Sequence, residues 1–217
     1  MTEASLPDRC RLVLIAPPET AAERFIAALP AAFDAGDVAS LILPQYGMDE
    51  EGFQAFAEKI VPLAQERGVA VMIAGDSRVA GRVRADGIHL EVGKDELAET
   101  IERLQGRMMV GAGGAKTRDD ALELGETRPD YMFFGRFGYD KTPEPHPRNL
   151  ALGRWWAEMI EIPCIVLGGS DVASVEAVAA TGAEFVALSS AVFGEDAGSA
   201  VAEANAILDR AAPRFAR

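Results

Sequence analysis

The segment Ile165–Ser174, IVLGGSDVAS, begins as an apolar strand, drops to two bare glycines, and restarts with Ser170 and Asp171 ahead of a helical stretch. Glycine at a strand's end marks either a forced dihedral or a close approach by another group. The surroundings decide between the two. Outward from this segment the same succession of apolar run, turn and helical pattern recurs along the chain. Strands are predicted at Arg11–Ala16, Val38–Pro44, Val69–Ala74, Gly87–Glu91, Met108–Gly113, Tyr131–Gly135, Cys164–Gly169 and Phe185–Ser190. These runs are apolar throughout rather than alternating, as expected of strands buried on both faces in a parallel sheet.

The intervening stretches carry helical spacing. In MDEEGFQAFAEKIVPLAQERG, Met48–Gly68, the apolar residues Phe53, Phe56, Ile60 and Leu63 recur at three- and four-residue intervals. Gly36, Gly68 and Gly182 punctuate helix ends. Thr117 and Ser170 are predicted helix caps. Eight strand–helix units in 217 residues predict a single α/β domain over residues 1–217, a (β/α)8 TIM barrel. An open doubly wound sheet is the alternative, because periodicity does not show closure. It is weakened by APPET after the first strand, where a dinucleotide fold would place glycines.

The totals fit a protein with a sizeable core, since 49% of residues are hydrophobic and 25% charged. A net charge of −13 argues against nucleic acid as a partner, because phosphate backbones are bound through clustered Lys and Arg. Between Asp76 and Arg148 there are 12 Lys/Arg against 14 Asp/Glu, a net of −2; the remainder holds 9 against 20, a net of −11. A nearly neutral middle in an acidic chain suits a small anionic ligand, although solvated helix faces give the same tally. Cys10 and Cys164 sit in apolar runs and read as buried thiols. The start, MTEASLPDRC, lacks the apolar core of a signal peptide, and no apolar stretch is long enough to span a bilayer. The expectation is a cytoplasmic protein without a membrane partner. The residues leave the oligomeric state open, a homo-oligomer included.

In a barrel, active sites lie at the C-terminal ends of the strands, and the loops after strands seven and eight often hold a phosphate. Here those ends carry Gly168 and Gly169, then Ser189 and Ser190 before a last helix. Bare amides, two hydroxyls and a helix N-terminus make a predicted phosphate site. The plainer alternative is that the glycines relieve tight turns and the serines cap the helix.

Three further segments, RADGIHLE (Arg84–Glu91), VLGGS (Val166–Ser170) and VALSSAVF (Val186–Phe193), stand in the same order and on the same strands as motifs of a known family. With PDYMFFGRFGYDKT (Pro129–Thr142), the chain resembles the thiamine phosphate synthases and the related TenI thiazole tautomerases over nearly its whole length. In such synthases a pyrimidine carrying a pyrophosphate ionises, and the nitrogen of a thiazole phosphate captures the carbocation. The resemblance implies phosphorylated small-molecule substrates, with the thiazole phosphate on Gly168, Gly169, Ser189 and Ser190. It makes Lys141 the catalytic cation beside the pyrophosphate, although a solvated loop lysine would read the same. It implies Mg2+ held by Asp76 and, at altered spacing, Asp95. Both also fit a plain role at a helix start, as a cap and in a first turn respectively.

The departures fall on one side of the expected site. Where the family's second strand ends in Arg and Lys, this chain reads LILPQYG, without a cation. Gly113 or Gly114 stands for a serine after strand five, with Lys116 nearby, and a proline-threonine loop has become RFGYD, bringing Arg136. Lys116 and Arg136 are therefore candidate pyrophosphate contacts. The tautomerase alternative needs an acid/base over the thiazole. The histidines available are His89, a strand residue, and His146, in a proline-rich loop.

Overall fold

The computed structural model describes residues 7–18 and 21–215. The first residues of the start read above as no signal peptide, Met1–Leu6, lie outside them. Strands and helices alternate: β1 (Arg11–Ile15), α1 (Ala22–Asp34), β2 (Val38–Pro44), α2 (Glu50–Gln65), β3 (Ala70–Ala74), α3 (Ser77–Val83), β4 (Gly87–Leu90) and α4 (Lys94–Leu104). The second half runs β5 (Met109–Ala112), α5 (Arg118–Gly125), β6 (Tyr131–Phe134), α6 (Pro147–Met159), β7 (Cys164–Leu167), α7 (Ser174–Ala179), β8 (Phe185–Leu188) and α8 (Ala197–Ala211). Each strand pairs in parallel with the next, and β8 returns to β1 through Leu12 opposite Val186, so the barrel is closed. The open-sheet alternative is thereby excluded.

The doubly apolar strands serve two cores. Leu12, Leu14, Leu41 and Leu43 face the helices, where they meet Phe25, Phe53 and Ile60. Val13, Ile15, Ile42, Met72, Phe133, Ile165 and Leu167 fill the barrel interior. The interior is tight: a Cβ at Gly111 would stand 2.0 Å from Cζ of Tyr131, so glycine on β5 makes room for that ring. At the N-terminal ends of the strands an acid before each of three even-numbered strands binds the strand before it. Asp86 accepts from the Val71 amide at 2.7 Å, Asp130 from Val110 at 2.6 Å, and Glu184 from Cys164 at 2.9 Å. Residues at this face of a barrel serve stability.

Several local expectations change. The strands at β7 and β8 end at Leu167 and Leu188, so Gly168, Gly169, Ser189 and Ser190 belong to the loops above the sheet. Ser170 caps no helix: α7 starts at Ser174 behind Ala173, without a side-chain cap. The Ser170 amide instead donates to Thr142 O at 2.7 Å. Gly68 and Gly182 take left-handed φ values of +71° and +89°, but Gly36 does not. Its bare face admits the Asn205 side chain, whose Nδ2 would lie 2.5 Å from an added Cβ. Thr117 does cap α5, in a reciprocal box with Asp120. Cys10 and Cys164 are buried and unpaired, and burial holds the Cys10 thiol up at about 12. Among the described residues no helix is long and apolar enough to cross a membrane.

Candidate active site

Among the described residues the strand ends open into two cavities of about 390 Å3 each, on either side of the β6–α6 loop, and a third of about 380 Å3 lies over the ends of β1 and β2. Arg136 and Phe137 line the first, and Gly138, Asp140 and Lys141 line the second.

The first cavity is walled by Pro44 at the end of β2 and Gln45 and Tyr46 after it, by Gly75 after β3, and by His89, Leu90 and Glu91 of the β4 end. Its floor is aromatic. Phe133 and Phe137 stack at 5.1 Å, and both meet the His89 ring edge-on at 5.4 and 5.1 Å. His89 is 2% exposed and its Nδ1 lies 3.0 Å from the Tyr131 hydroxyl, while Nε2 is buried without a protein partner. Burial lowers its pKa to about 3, so the ring is neutral at physiological pH. Glu91 stands at the rim, its methylenes within 3.5 Å of where Cβ atoms at Gly113 and Gly114 would lie. That is ordinary contact; the bare face of Gly113 instead makes room for His89, whose Nε2 would lie 2.8 Å from an added Cβ. Desolvation lifts the Glu91 carboxyl above the usual range, and the Arg136 charge opposes this. The Arg136 guanidinium lies 3.9 Å from the centre of the Tyr139 ring, which holds it beside the cavity.

The second cavity collects Lys141, Ser170, Ser189 and Ser190 with Pro17, Pro18 and Phe193. Lys141 is exposed at its rim. The amides expected to await a phosphate are engaged. Gly169 N donates to Ser174 Oγ at 2.9 Å, Gly168 N to Ala187 O at 2.8 Å, and Ser190 N to Asp140 Oδ2 at 2.7 Å. The bare face of Gly169 is covered as well: an added Cβ would stand 2.0 Å from Pro143 O and 2.7 Å from Thr142 O. In this structure the glycine therefore admits a loop of its own chain.

The other predicted residues lie apart from both cavities. Lys116 is exposed in the β5–α5 loop, where its amide donates to Asp120. Asp76 caps α3, accepting from the Arg78 amide at 2.8 Å and from Arg78 Nη2 at 2.6 Å. That guanidinium holds the Asp76 carboxyl below the usual carboxylate range. Asp95 is exposed in the first turn of α4. Among the described residues no three His, Cys, Asp or Glu side chains group as metal ligands would. A carboxylate closed by a guanidinium does not fit a waiting metal site. His146 is exposed, and its Nδ1 accepts from the Arg148 amide as the cap of α6. Asp140 and Phe137 escaped the sequence reading, although both sit in the loop whose departure from the family pattern was visible.

Comparison with known proteins agrees with this architecture. The family model described as thiamine monophosphate synthase matches residues 12–192. The thiamine-phosphate synthase of Rhodospirillum centenum is 34% identical over 197 residues, covering 90% of this chain and 95% of the relative. That of Hyphomonas neptunium is 34% identical over 211 residues, covering 93% and 95%. The solved thiamine phosphate pyrophosphorylase of Pyrococcus furiosus superposes with a TM-score of 0.75 at 20% identity, over 94% of this chain and 98% of that one. A match over this much of the barrel, together with the two relatives, means that the chain belongs to the thiamine monophosphate synthase family.

Proposed function

We propose that the protein joins a hydroxymethylpyrimidine diphosphate to a thiazole phosphate, releasing pyrophosphate in thiamine biosynthesis. The observation that carries this reading is the pair of cavities sharing the β6–α6 loop, one with an aromatic floor and Arg136, the other with Lys141 and three serines. Each volume is in the range of small-ligand sites. In the reaction the bond from the pyrimidine methylene carbon to the diphosphate oxygen breaks, and its electron pair leaves with pyrophosphate. The thiazole nitrogen lone pair then forms the new C–N bond. The Phe137 ring, stacked on the buried Phe133 with the neutral His89 edge-on to both, suits a planar ring. Lys141 and Arg136 flank the loop between the cavities, where they would stabilise the departing anion. Holding two rings at one seam supplies the orientation that a bimolecular step lacks. Magnesium enters this reading only as an ion carried by the diphosphate, whose oxygens are its natural ligands.

A second reading, a family member that binds a phosphorylated metabolite or acts as a thiazole tautomerase, is favoured by the end of β2. Pro44, Gln45 and Tyr46 line the first cavity there, without a cation, and Glu91 adds a carboxyl group. A coupled assay of pyrophosphate release separates the two readings. Slow release that requires both substrates is expected. Lys141→Ala should lower it by roughly 10²–10³, the usual cost of one electrostatic contact in a transition state. Absence of release beside intact thiazole phosphate binding would select the second reading.

A further inference from the structure

The β7–β8 side of the mouth already holds an anion, supplied by the chain itself. Asp140 is 6% exposed. Its Oδ2 accepts from the Ser190 amide at 2.7 Å and from the Ser190 hydroxyl at 2.6 Å, and the same hydroxyl lies 2.9 Å from the Asp140 carbonyl. A hydroxyl has a single proton, so it serves one of these two acceptors at a time. The following residues lie over the other strand end, with Thr142 O on the Ser170 amide and Pro143 O against Gly169. Beside them Ser189 is 1% exposed, its Oγ has no protein partner, and it lines the same cavity as Lys141 and Ser190. A buried carboxylate is tolerated only where donors meet its charge. Here the donors are an amide and a hydroxyl at a strand end, with an orphaned hydroxyl next to them.

We propose that Asp140 is a specificity-determining residue, a resident anion that competes with the phosphate of an incoming ligand for Ser190. The inference rests on the reading of this cavity as the phosphate side of the site. One amide N–H cannot serve two anions at hydrogen-bonding distance, so phosphate enters only as the carboxylate leaves. Its departure frees the Ser190 amide and hydroxyl, and Ser189 Oγ stands ready as a further donor. A phosphate monoester brings more charge and more acceptor oxygens than a carboxylate. The exchange therefore favours phosphorylated ligands over carboxylated or uncharged analogues of the same shape.

The probe is inorganic phosphate, titrated by calorimetry into wild type, Asp140→Ala and Asp140→Asn. Asp140→Asn keeps an acceptor for Ser190 without the charge, so it carries the test if the alanine variant folds poorly. Phosphate should bind Asp140→Ala at least tenfold more tightly than wild type, with Asp140→Asn between them. Equal affinities, weaker binding by the variants, or no phosphate binding by any of the three would overturn the proposal. Turnover is scored separately in the coupled assay. Equal affinities with turnover would discard the role of Asp140 and leave the reaction standing; tighter binding by the variants without turnover would uphold the role and discard the reaction.

Discussion

Gly169→Ala introduces a single methyl group, and the structure states what it meets. Its Cβ would stand 2.0 Å from Pro143 O and 2.7 Å from Thr142 O, distances no backbone tolerates. The φ of Gly169 is outside the left-handed region, so alanine suits the local backbone and the cost is collision alone. Carbonyl oxygens cannot rotate aside as a side chain can, so the 140–143 segment must lift. Lifting breaks the bond from the Ser170 amide to Thr142 O and the pair from Ser190 to the Asp140 carboxylate. At about 1 kcal/mol for the neutral bond and about 1.5–3 for each of the two to a charged group, the loss is about 4–7 kcal/mol. Urea unfolding should show that loss. Hydrogen exchange at the Ser170 and Ser190 amides should quicken by roughly 10³–10⁵, at about 1.4 kcal/mol per factor of ten. Gly168→Ala is the control, because its nearest obstacles at 2.7 and 2.9 Å are the ends of the Leu188 and Ser174 side chains. Stability of Gly169→Ala within about 0.5 kcal/mol of wild type, the range of an inconsequential surface change, together with unaltered exchange, would refute this account of the glycine.

Two further outcomes follow from the barrel's interior and its N-terminal face. His89 titrates at about 3 when folded against about 6.5 unfolded, so the unfolded chain binds the extra proton between those values. Stability then falls as pH drops from about 6.5, by up to about 1.4 kcal/mol per pH unit, and the difference between wild type and His89→Gln in urea midpoint from pH 7 to 4.5 should show it. A pH-independent difference would mean that the ring is not held neutral. Asp86→Ala orphans the Val71 amide of β3 and should cost about 1–3 kcal/mol in the same experiment, without altering ligand binding at the opposite face. A loss of affinity that outlasts the restoration of stability would place Asp86 in a different role.

The chain alone determined the eight strands, because residues buried on both faces must be apolar throughout, and that pattern is local. It also determined the Thr117 cap, the kinship of the β4, β7 and β8 segments, and the placing of Ser189 and Ser190 at the mouth with Lys141. Closure needed the tertiary structure, since the pairing of β8 with β1 joins residues about as far apart as the barrel allows. So did the use of Gly169. Its spacing announces a close approach, yet the visitor is Pro143, brought by a loop 26 residues earlier in the chain. Asp140 is 50 residues from Ser190, and nothing in the periodicity links them. Asp76 and Asp95 show the reverse: as helix-start residues they were legible as a cap and a first-turn acid, and Asp76 does cap α3, with the Arg78 guanidinium on its carboxylate. Local pattern decides what a segment becomes. Which side chain meets which amide depends on where distant loops return, and only the closed barrel sets that.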